Sequence, residues 1–361
     1  MIHAAKVLYV TLFMLICSLL SQADASPKNI ILFIGDGMGF EQMKAGRYYL
    51  GEPLSFESFP YNNVVTTRSA DNQVTDSAAA ATAIATGQKV NNSVLSLQIP
   101  GDEHELETML EYYKKQGKST GLVTTTHMTH ATPAAFGAHE PDRDNHEEIA
   151  HDYLNQTKPD VLLGGGGHGL SVESAERAGY KVVSNARELE AIGTNHFERV
   201  SGQFGTGNLP FEYDGLGDLP SLSQMVHFAL NRLDNAEEGF FLMVEGGRID
   251  HACHDNHVER VIFEVIEFSE AVQEAIDWAA GREDTLIIVT ADHETGGLRV
   301  TSEKEFNKGK IPEVTWSTGS HSGVNVPVYA WGRCAELIEH PSGFPVDNTF
   351  FFRMLKQSAT K

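Results

Sequence analysis

The sequence predicts an α/β fold, a three-layer α/β/α sandwich with a doubly wound, mostly parallel central sheet. Two observations predict it. Apolar runs of strand length are dense in Val, Ile, Leu and Phe and do not alternate with polar residues, which is typical of central strands covered on both faces. Segments of helical character lie between these runs, so strands and helices take turns along the chain.

The predicted elements follow one another in a consistent order. In that order they are strand 29–34, strand 62–67, helix 76–86, helix 105–116, strand 119–125, helix 145–154, strand 159–164, helix 222–233, strand 239–245, helix 256–280, strand 285–290 and strand 326–331. The long helix near residue 270 carries five glutamates that we expect on a solvated face, Glu259, Glu264, Glu267, Glu270 and Glu274. Residues 201–220 are rich in glycine and turn formers and predict a surface excursion. The glycines at 164–167, followed by His168, lack the pattern of a phosphate loop and predict a flexible turn after a strand.

The first 25 residues have the pattern of a cleaved signal peptide. Lys6 precedes an apolar run over residues 7–20, and small residues at 23 and 25 occupy the two positions that a signal peptidase reads. The run is short for a membrane span, and an uncleaved anchor is the alternative. We expect an exported protein, periplasmic or secreted, with no stable membrane association after cleavage. Residues 26–361 are expected to form one enlarged domain, because no linker, repeat or low-complexity tract divides them.

Composition narrows the function classes. The 27 Lys and Arg residues against 49 Asp and Glu residues give a net charge of −22, which argues against a nucleic-acid binder that relies on a basic surface. Cys17 leaves with the signal peptide. Cys253 and Cys334 are able to form one bridge in an oxidising compartment, although two buried thiols are the favoured interpretation. Neither lies in a CxxC motif, so thiolate metal sites have no support.

Carboxylates, imidazoles and a hydroxyl follow the predicted strands. Asp36 follows the first strand, Thr132 the third, Glu245 and Asp250 the fifth, and Asp292-His293 the sixth. In this fold class ligands gather at the carboxyl ends of the strands. Carboxylates buried together repel one another and resist desolvation, so their concentration at one edge predicts cations between them.

Two segments, one at a strand end and one around Ser77, carry more specific signals. Asp250 and His254 are four residues apart, so on a helix they share a face and are able to grip one metal ion, the alternative being a solvated pair. Ser77 precedes a run of small residues and is predicted in the first turn of a helix, where the helix dipole favours an anion. A serine there, beside a metal that stabilises its alkoxide, would be a nucleophile; the alternative is an ordinary buried helix.

Six motifs in order resemble the alkaline phosphatases over nearly the whole mature sequence. They are Ile34 to Gly39, Thr75 to Ala78, His130 to Pro133, Glu245 to His254, Asp292-His293 and His321 to Gly323. The resemblance implies two Zn²⁺ and one Mg²⁺ per subunit. The implied ligands are Asp250, His254 and His321 for one zinc, Asp36, Asp292 and His293 for the other, and Asp36, Thr132 and Glu245 for magnesium. The ligand types suit these ions.

Further site residues are implied by the same resemblance. Arg143, eleven residues past Thr132, is expected to hold the phosphoryl group as a bidentate fork, the alternative being a surface arginine paired with Asp142 or Asp144. The residues expected around the reacting groups are Asp76, His130, His251 and Trp316. The two histidines are expected to contact phosphate or metal through water, and Trp316 matches a tryptophan of cold-marine bacterial members.

The resemblance implies hydrolysis of small phosphate monoesters at alkaline pH through a phosphoserine on Ser77, with a broad substrate range and release of inorganic phosphate. A homodimer is expected. Only 27 residues separate His293 from His321, which predicts a short crown-like insertion or none. The alternatives are a phosphodiesterase or sulfatase of the same fold and, from another class, a non-catalytic metal- or phosphate-binding protein.

Overall fold

A computed structural model describes residues 26–193, 199–339 and 345–358 of the chain. The signal peptide expected at residues 1–25 lies outside the described residues. Every helix in the described ranges is too short or too polar to cross a membrane.

One large sheet dominates the described part of the chain. Its ten strands are β1 (Asn29–Ile34), β2 (Tyr61–Thr66), β3 (Ser119–His127), β4 (Val161–Gly165), β5 (Tyr180–Val183), β6 (Arg199–Gln203), β7 (Phe240–Glu245), β8 (Thr285–Thr290), β13 (Val326–Gly332) and β14 (Val346–Asp347). Their order is β14-β2-β13-β8-β1-β7-β3-β4-β6-β5, and only β13 pairs antiparallel with its neighbours. The short strands β9 (Glu294–Thr295), β10 (Arg299–Val300), β11 (Val314–Thr315) and β12 (His321–Ser322) form two small hairpin-like pairs.

Helices cover the sheet in two groups. The described helices are α1 (Phe40–Leu50), α2 (Ser77–Thr86), α3 (Met109–Lys115), α4 (Ala131–Gly137), α5 (His146–Asp152), α6 (Val172–Arg177), α7 (Ala186–Ile192), α8 (Leu222–Leu233), α9 (Arg248–His254), α10 (Val258–Ala279) and α11 (Phe350–Ser358). The long helix α10 packs against α1, α8 and α9, whereas α2 packs against α3, α4 and α11. The predicted α/β class with a mostly parallel central sheet is therefore confirmed.

The central strands explain why the sequence pattern was informative. All six residues of β1 are buried, and β7 and β8 flank it in parallel register and are buried throughout. Strands covered on both faces need apolar side chains at every position, so periodicity of two disappears. The bounds predicted for β1, β8 and α8 match the structure residue for residue.

Two predictions about the surface were wrong. Residues 201–203 belong to β6, which pairs in parallel with β4 and β5, so the excursion begins only after the strand. Glu264 and Glu267 are buried under other segments that pack on α10, and their carboxylates accept hydrogen bonds from main-chain N–H groups of those segments. Glu264 accepts from the N–H of Glu212 at 2.9 Å and Glu267 from that of Ser223 at 2.7 Å.

The cysteines stay unbridged. Cys253 is buried and Cys334 is half-buried, and no disulfide joins them. The disulfide that the sequence left open is therefore not formed in this structure.

Candidate metal centre

The centre lies where β1, β7 and β8 end side by side. Parallel pairing brings Ile34 opposite Glu245 on one side and Thr290 on the other. Asp36, two residues after β1, is fully buried, and so is Asp292, two residues after β8. The turn between β1 and α1 permits this approach because a Cβ on Gly37, whose φ is +71°, would lie 2.9 Å from Cα of Asp250.

Three fully buried side chains converge in the first group, Asp36, Asp292 and His293. Nε2 of His293 lies 3.4 Å from Oδ1 of Asp36 and 3.3 Å from Oδ2 of Asp292. Oδ1 of Asp292 accepts from the N–H groups of Gly37 and His293. Both oxygens of Asp36 and Oδ2 of Asp292 are buried without a hydrogen-bond partner. Unpartnered buried oxygens that face one another are the arrangement expected of cation ligands.

Burial and mutual repulsion shift the acidity of this group. Burial, with the charges of Asp292 and Asp250, raises the pKa of Asp36 well above its usual value. Burial and the charge of Asp250 raise the pKa of Asp292 to about 8. Burial and the neighbouring His321 lower the pKa of His293 well below its usual value. The protein alone favours the neutral forms, whereas a dication between these groups reverses that preference for the carboxylates.

The second group is Asp250, His254 and His321. Nε2 of His254 lies 3.3 Å from Oδ2 of Asp250 and 3.2 Å from Nε2 of His321, and Nε2 of His321 lies 3.7 Å from Oδ1 of Asp250. Both imidazoles donate their Nδ1–H to main-chain carbonyls, of Gly319 at 2.8 Å and of Thr75 at 2.9 Å. Nε2 of each ring therefore faces the other ring and the carboxylate, which is how metal-binding imidazoles are oriented.

In the metal-free protein a proton on His254, not a metal ion, links this histidine to Asp250. The hydrogen bond from His254 to Asp250 raises the pKa of the imidazole to about 9. Burial alone would raise the pKa of Asp250, but that hydrogen bond and the surrounding imidazoles hold it well below its usual value. An ion that displaces this proton finds the ligands already oriented.

The third group joins Asp36 to Glu245, His130 and Thr132. The hydroxyls of Thr124 and Thr126 donate to Oε2 of Glu245, the latter at 3.1 Å. The other oxygen, Oε1, is buried without a partner and lies 3.9 Å from Nδ1 of His130.

Thr132, in the first turn of α4, is fully buried, and its Oγ1 has no hydrogen-bond partner. With Asp36 and Glu245 it completes an oxygen-rich set, the kind of donors that Mg²⁺ prefers.

Ser77 is the first residue of α2, whose N-cap is Asp76. The Oγ of Ser77 lies 3.2 Å from Nε2 of His293, so the hydroxyl reaches the first group. Arg143 donates from Nη1 to Oδ2 of Asp76 at 3.2 Å and from Nη2 to Nε2 of His130 at 3.3 Å. The guanidinium is thus held beside Asp76, the residue before Ser77, and its hydrogen bonds do not go to its sequence neighbours Asp142 and Asp144.

The contacts of two other predicted residues, His251 and Trp316, are with neighbours other than Ser77. Nδ1 of His251 accepts from Nη1 of Arg248 at 2.6 Å, and its ring centroid lies 5.6 Å from that of His130. Trp316 is half-buried, and its indole covers Gly296, where a Cβ would lie 2.5 Å from the ring. Its place in the site stays a prediction.

Sequence reasoning missed Thr295, which connects the first two groups. Its Oγ1 donates to Oδ1 of Asp250 at 2.5 Å and lies 3.2 Å from Nδ1 of His293. Because the single hydroxyl proton goes to the carboxylate, Nδ1 of His293 donates to the hydroxyl and Nε2 keeps its lone pair. The only sequence signal was a hydroxyl residue just after the Asp-His pair.

Comparisons with known proteins identify the family of the chain. A family model described as alkaline phosphatase matches residues 27–313. Alkaline phosphatase 3 of Bacillus subtilis is 39% identical over 299 residues, which is 78% of this chain and 64% of that protein. The cold-active alkaline phosphatase of a psychrophilic Shewanella superposes with a TM-score of 0.82 at 28% identity, covering 92% of this chain and 100% of that one. A mutant of the TAB5 alkaline phosphatase, from an Antarctic bacterium, is described with Mg bound and has a TM-score of 0.80 at 26% identity, covering 93% and 99%.

Proposed function

The chain belongs to the alkaline phosphatase family, and from that premise we propose that it hydrolyses phosphate monoesters at alkaline pH through a phosphoserine on Ser77. It matches about two thirds of the length of the curated Bacillus relative, 64%. The observation that carries the proposal is the 3.2 Å separation between Oγ of Ser77 and Nε2 of His293, inside a cluster of unpartnered buried carboxylate oxygens.

The donor groups fit two zinc ions and one magnesium ion. Imidazole nitrogens with carboxylate oxygens suit zinc, and carboxylates with a hydroxyl suit magnesium. The proposed ligand sets are Asp250, His254 and His321 for one zinc, Asp36, Asp292 and His293 for the second, and Asp36, Thr132 and Glu245 for magnesium. When bound, the cations supply positive charge that stabilises the serine alkoxide and the phosphoryl oxygens.

Ser77 is the nucleophile in this proposal. Its oxygen attacks phosphorus, the bond from phosphorus to the ester oxygen breaks, and the leaving alcohol takes up a proton. Water then attacks the phosphoserine, the bond from phosphorus to Oγ breaks, and inorganic phosphate leaves as Ser77 regains its proton. Asp76 supports the geometry because its Oδ1 caps α2 at the N–H of Ala79, at 3.0 Å, and so fixes the turn that carries Ser77.

Arg143 holds the phosphoryl group. Its guanidinium has its orientation fixed by Asp76 and His130, so the fork is in place before substrate arrives. Arg143 only donates, so His130 accepts at Nε2 and carries its proton on Nδ1. That Nδ1–H is buried without a hydrogen-bond partner, 3.9 Å from Oε1 of Glu245, and would be available to a water molecule if magnesium were bound by Glu245. His251 is proposed to act on phosphate through water in the same way.

The assembly and location belong to the same proposal. Residues 26–361 form one exported catalytic domain, periplasmic or secreted, that assembles as a homodimer. The proposed metal ligands and Arg143 act on the phosphoryl group and not on the alcohol portion of the substrate. We therefore expect little selectivity for the alcohol and a broad range of small phosphomonoester substrates. Trp316 is proposed to line the mouth of the site.

Ser77→Ala tests the proposed function. We expect turnover of an aryl phosphate to fall by at least a thousandfold, while zinc and magnesium contents measured by mass spectrometry stay at wild-type values. Dialysis against a chelator should abolish wild-type activity, and zinc with magnesium should restore it. Unchanged turnover in Ser77→Ala contradicts the nucleophile assignment, and a higher kcat/KM for an aryl phosphodiester than for the monoester favours the diesterase alternative.

A further inference from the structure

Three histidines outside the centre lie together on the far side of His130. His127 ends β3, His146 begins α5 and His168 lies in the turn after β4. One nitrogen from each ring lies within 4.8 Å of the other two. The ring centroids of His127 and His168 are 4.0 Å apart, and the His146 ring is edge-on to both at 5.0 and 5.2 Å. None of the three belongs to the ligand groups described above.

The hydrogen bonds around His127 fix which nitrogen carries its proton. Oγ1 of Thr129 donates to the main-chain carbonyl of His168 at 2.8 Å, and that carbonyl is able only to accept. The threonine oxygen therefore accepts from Nδ1 of His127, at 3.1 Å. Nε2 of His127 is left with a lone pair, and the same threonine holds the turn of His168 in place. Metal-binding imidazoles are oriented by such outer hydrogen bonds.

A second ring offers an unpaired nitrogen. Nδ1 of His146 is buried without a hydrogen-bond partner, which is costly for a polar atom unless something else satisfies it. His127 is buried, His146 is half-buried and His168 is exposed, so the cluster is open to solvent at one end. Burial and the two neighbouring imidazoles lower the pKa of His127 to about 3, which keeps this ring neutral.

The backbone around the cluster is closely packed. A Cβ on Gly165 would lie 1.7 Å from the carbonyl oxygen of Gly207, so these two segments touch through main-chain atoms. Next to Gly207, the side-chain carbonyl of Asn208 accepts from the N–H of His127 at 2.9 Å. The glycine run after β4 thus serves close packing, and it brings His168 over His127.

From this geometry we propose that His127, His146 and His168 form a further metal site, for a zinc-type transition-metal dication, that is separate from the catalytic centre. Three neutral imidazoles with one open position are a known zinc ligand set, and imidazole also suits copper and nickel. Tetrahedral coordination at about 2.0–2.1 Å places ligand nitrogens about 3.3 Å apart. The rings of His127 and His168 are stacked at an interplanar angle of 12°, so their in-plane lone pairs converge on one ion only after the His168 ring turns out of the stack. Exposed His168 has room for that rotation.

The position of the site gives it a structural consequence. The three ligands come from a strand end, a helix start and a turn, so a bound ion cross-links three segments. His127 also lies 5.3 Å, between ring centroids, from His130, which contacts Arg143. The inference does not depend on the proposed function, because the imidazoles bind an ion whether or not Ser77 reacts.

Zinc binding to His168→Asn tests the site. His168 has φ of +47°, a backbone conformation that asparagine tolerates, so this shorter residue removes the ligand and keeps the turn. The matched control is His151→Asn, an exposed histidine on the same helix as His146. Metal-free wild-type protein and both variants are titrated with zinc alone, and bound zinc is counted after gel filtration. We expect one fewer equivalent in His168→Asn and no change in His151→Asn.

Equal zinc stoichiometry and affinity in wild type and His168→Asn overturn the proposal. Should the variant fail to fold, anomalous diffraction at the zinc edge from wild-type crystals soaked in zinc decides the question. A peak between the three rings supports the site, and absence of a peak there, with the catalytic ligands occupied, overturns it.

Discussion

Thr295→Val isolates the hydroxyl that connects the two proposed zinc sites. Valine has nearly the shape of threonine but neither donates nor accepts a hydrogen bond. The substitution therefore removes the 2.5 Å hydrogen bond to Asp250 and leaves the Nδ1–H of His293 unpaired. Both ligands keep their positions in the chain, so the change acts on their orientation and charge.

The structure sets the size of the effect. A hydrogen bond to a charged group contributes about 1.5–3 kcal/mol, and an unsatisfied buried donor costs about 1–3 kcal/mol. Part of this free energy is lost as stability of the folded metal-free protein. The part that falls on metal binding is expected to be about 1.4–2.7 kcal/mol, because loss of an outer-shell partner lowers metal affinity about 10- to 100-fold.

Zinc affinity is measured by competition with a chromophoric chelator, and unfolding free energy by denaturant titration of metal-free protein. Thr295→Ser keeps the hydroxyl and should restore affinity to within a few fold. Thr86→Val removes a buried hydroxyl at the other end of α2, where it donates to the carbonyl of Thr82 at 2.8 Å. That control should lose stability and keep zinc affinity. The reasoning is refuted if Thr295→Val binds zinc as tightly as wild type.

Three further predictions concern charge. Arg143→Lys replaces a fork by a single point charge, so kcat/KM for an aryl phosphate should fall about 10- to 100-fold, and an unchanged value contradicts the role of the arginine. Nε2 of His139 lies 3.3 Å from Glu111, and although burial lowers the pKa of His139, this carboxylate raises it above its usual value. Stability from the pair is complete below about pH 6.5 and is lost as pH rises through the folded-state pKa, so the unfolding free energies of wild type and Glu111→Gln should differ more at pH 6 than at pH 9. Burial raises the pKa of Glu264 to about 8, so its ionisation opposes folding increasingly between about pH 4.5 and 8. The stability of Glu264→Gln relative to wild type should therefore increase from pH 5 to pH 9. Denaturant titrations that show no such increase contradict the prediction.

The central sheet was predictable because its strands are buried on both faces. Continuous apolar runs such as residues 29–34 and 285–290 are of strand length and rich in β-branched residues, which favours a buried strand over a buried helix. The position of the buried carboxylates at the ends of these strands was predictable for a related reason. A carboxylate such as that of Asp36 or Asp292 at a buried strand end is energetically costly unless a cation or another partner compensates its charge.

The edge of the sheet was harder to predict. Strand β5 has only four residues, and β6 contains Ser201, Gly202 and Gln203, so the sequence of β6 resembles a turn. Their strand conformation comes from pairing with neighbours that the local sequence does not specify.

Contacts between distant segments set the remaining features. Glu264 and Glu267 fit the polar face of a surface helix, and only the packing of other segments on α10 buries them. The role of Thr295 depends on its hydrogen bond to Asp250, 45 residues away, which no local sequence pattern shows. The histidine cluster joins three segments whose separation in sequence gives no periodic signal.

We propose that the carboxylates and imidazoles at the strand ends prepare Ser77 to accept a phosphoryl group. Zinc- and magnesium-loaded protein is mixed with an aryl phosphate, quenched in acid within one turnover and digested, and the peptide that carries phosphate is sequenced by mass spectrometry. We expect phosphate on Ser77 in wild type and on no residue in Ser77→Ala. Full turnover with phosphate on a different residue, or with none trapped at any quench time, contradicts a phosphoserine intermediate on Ser77.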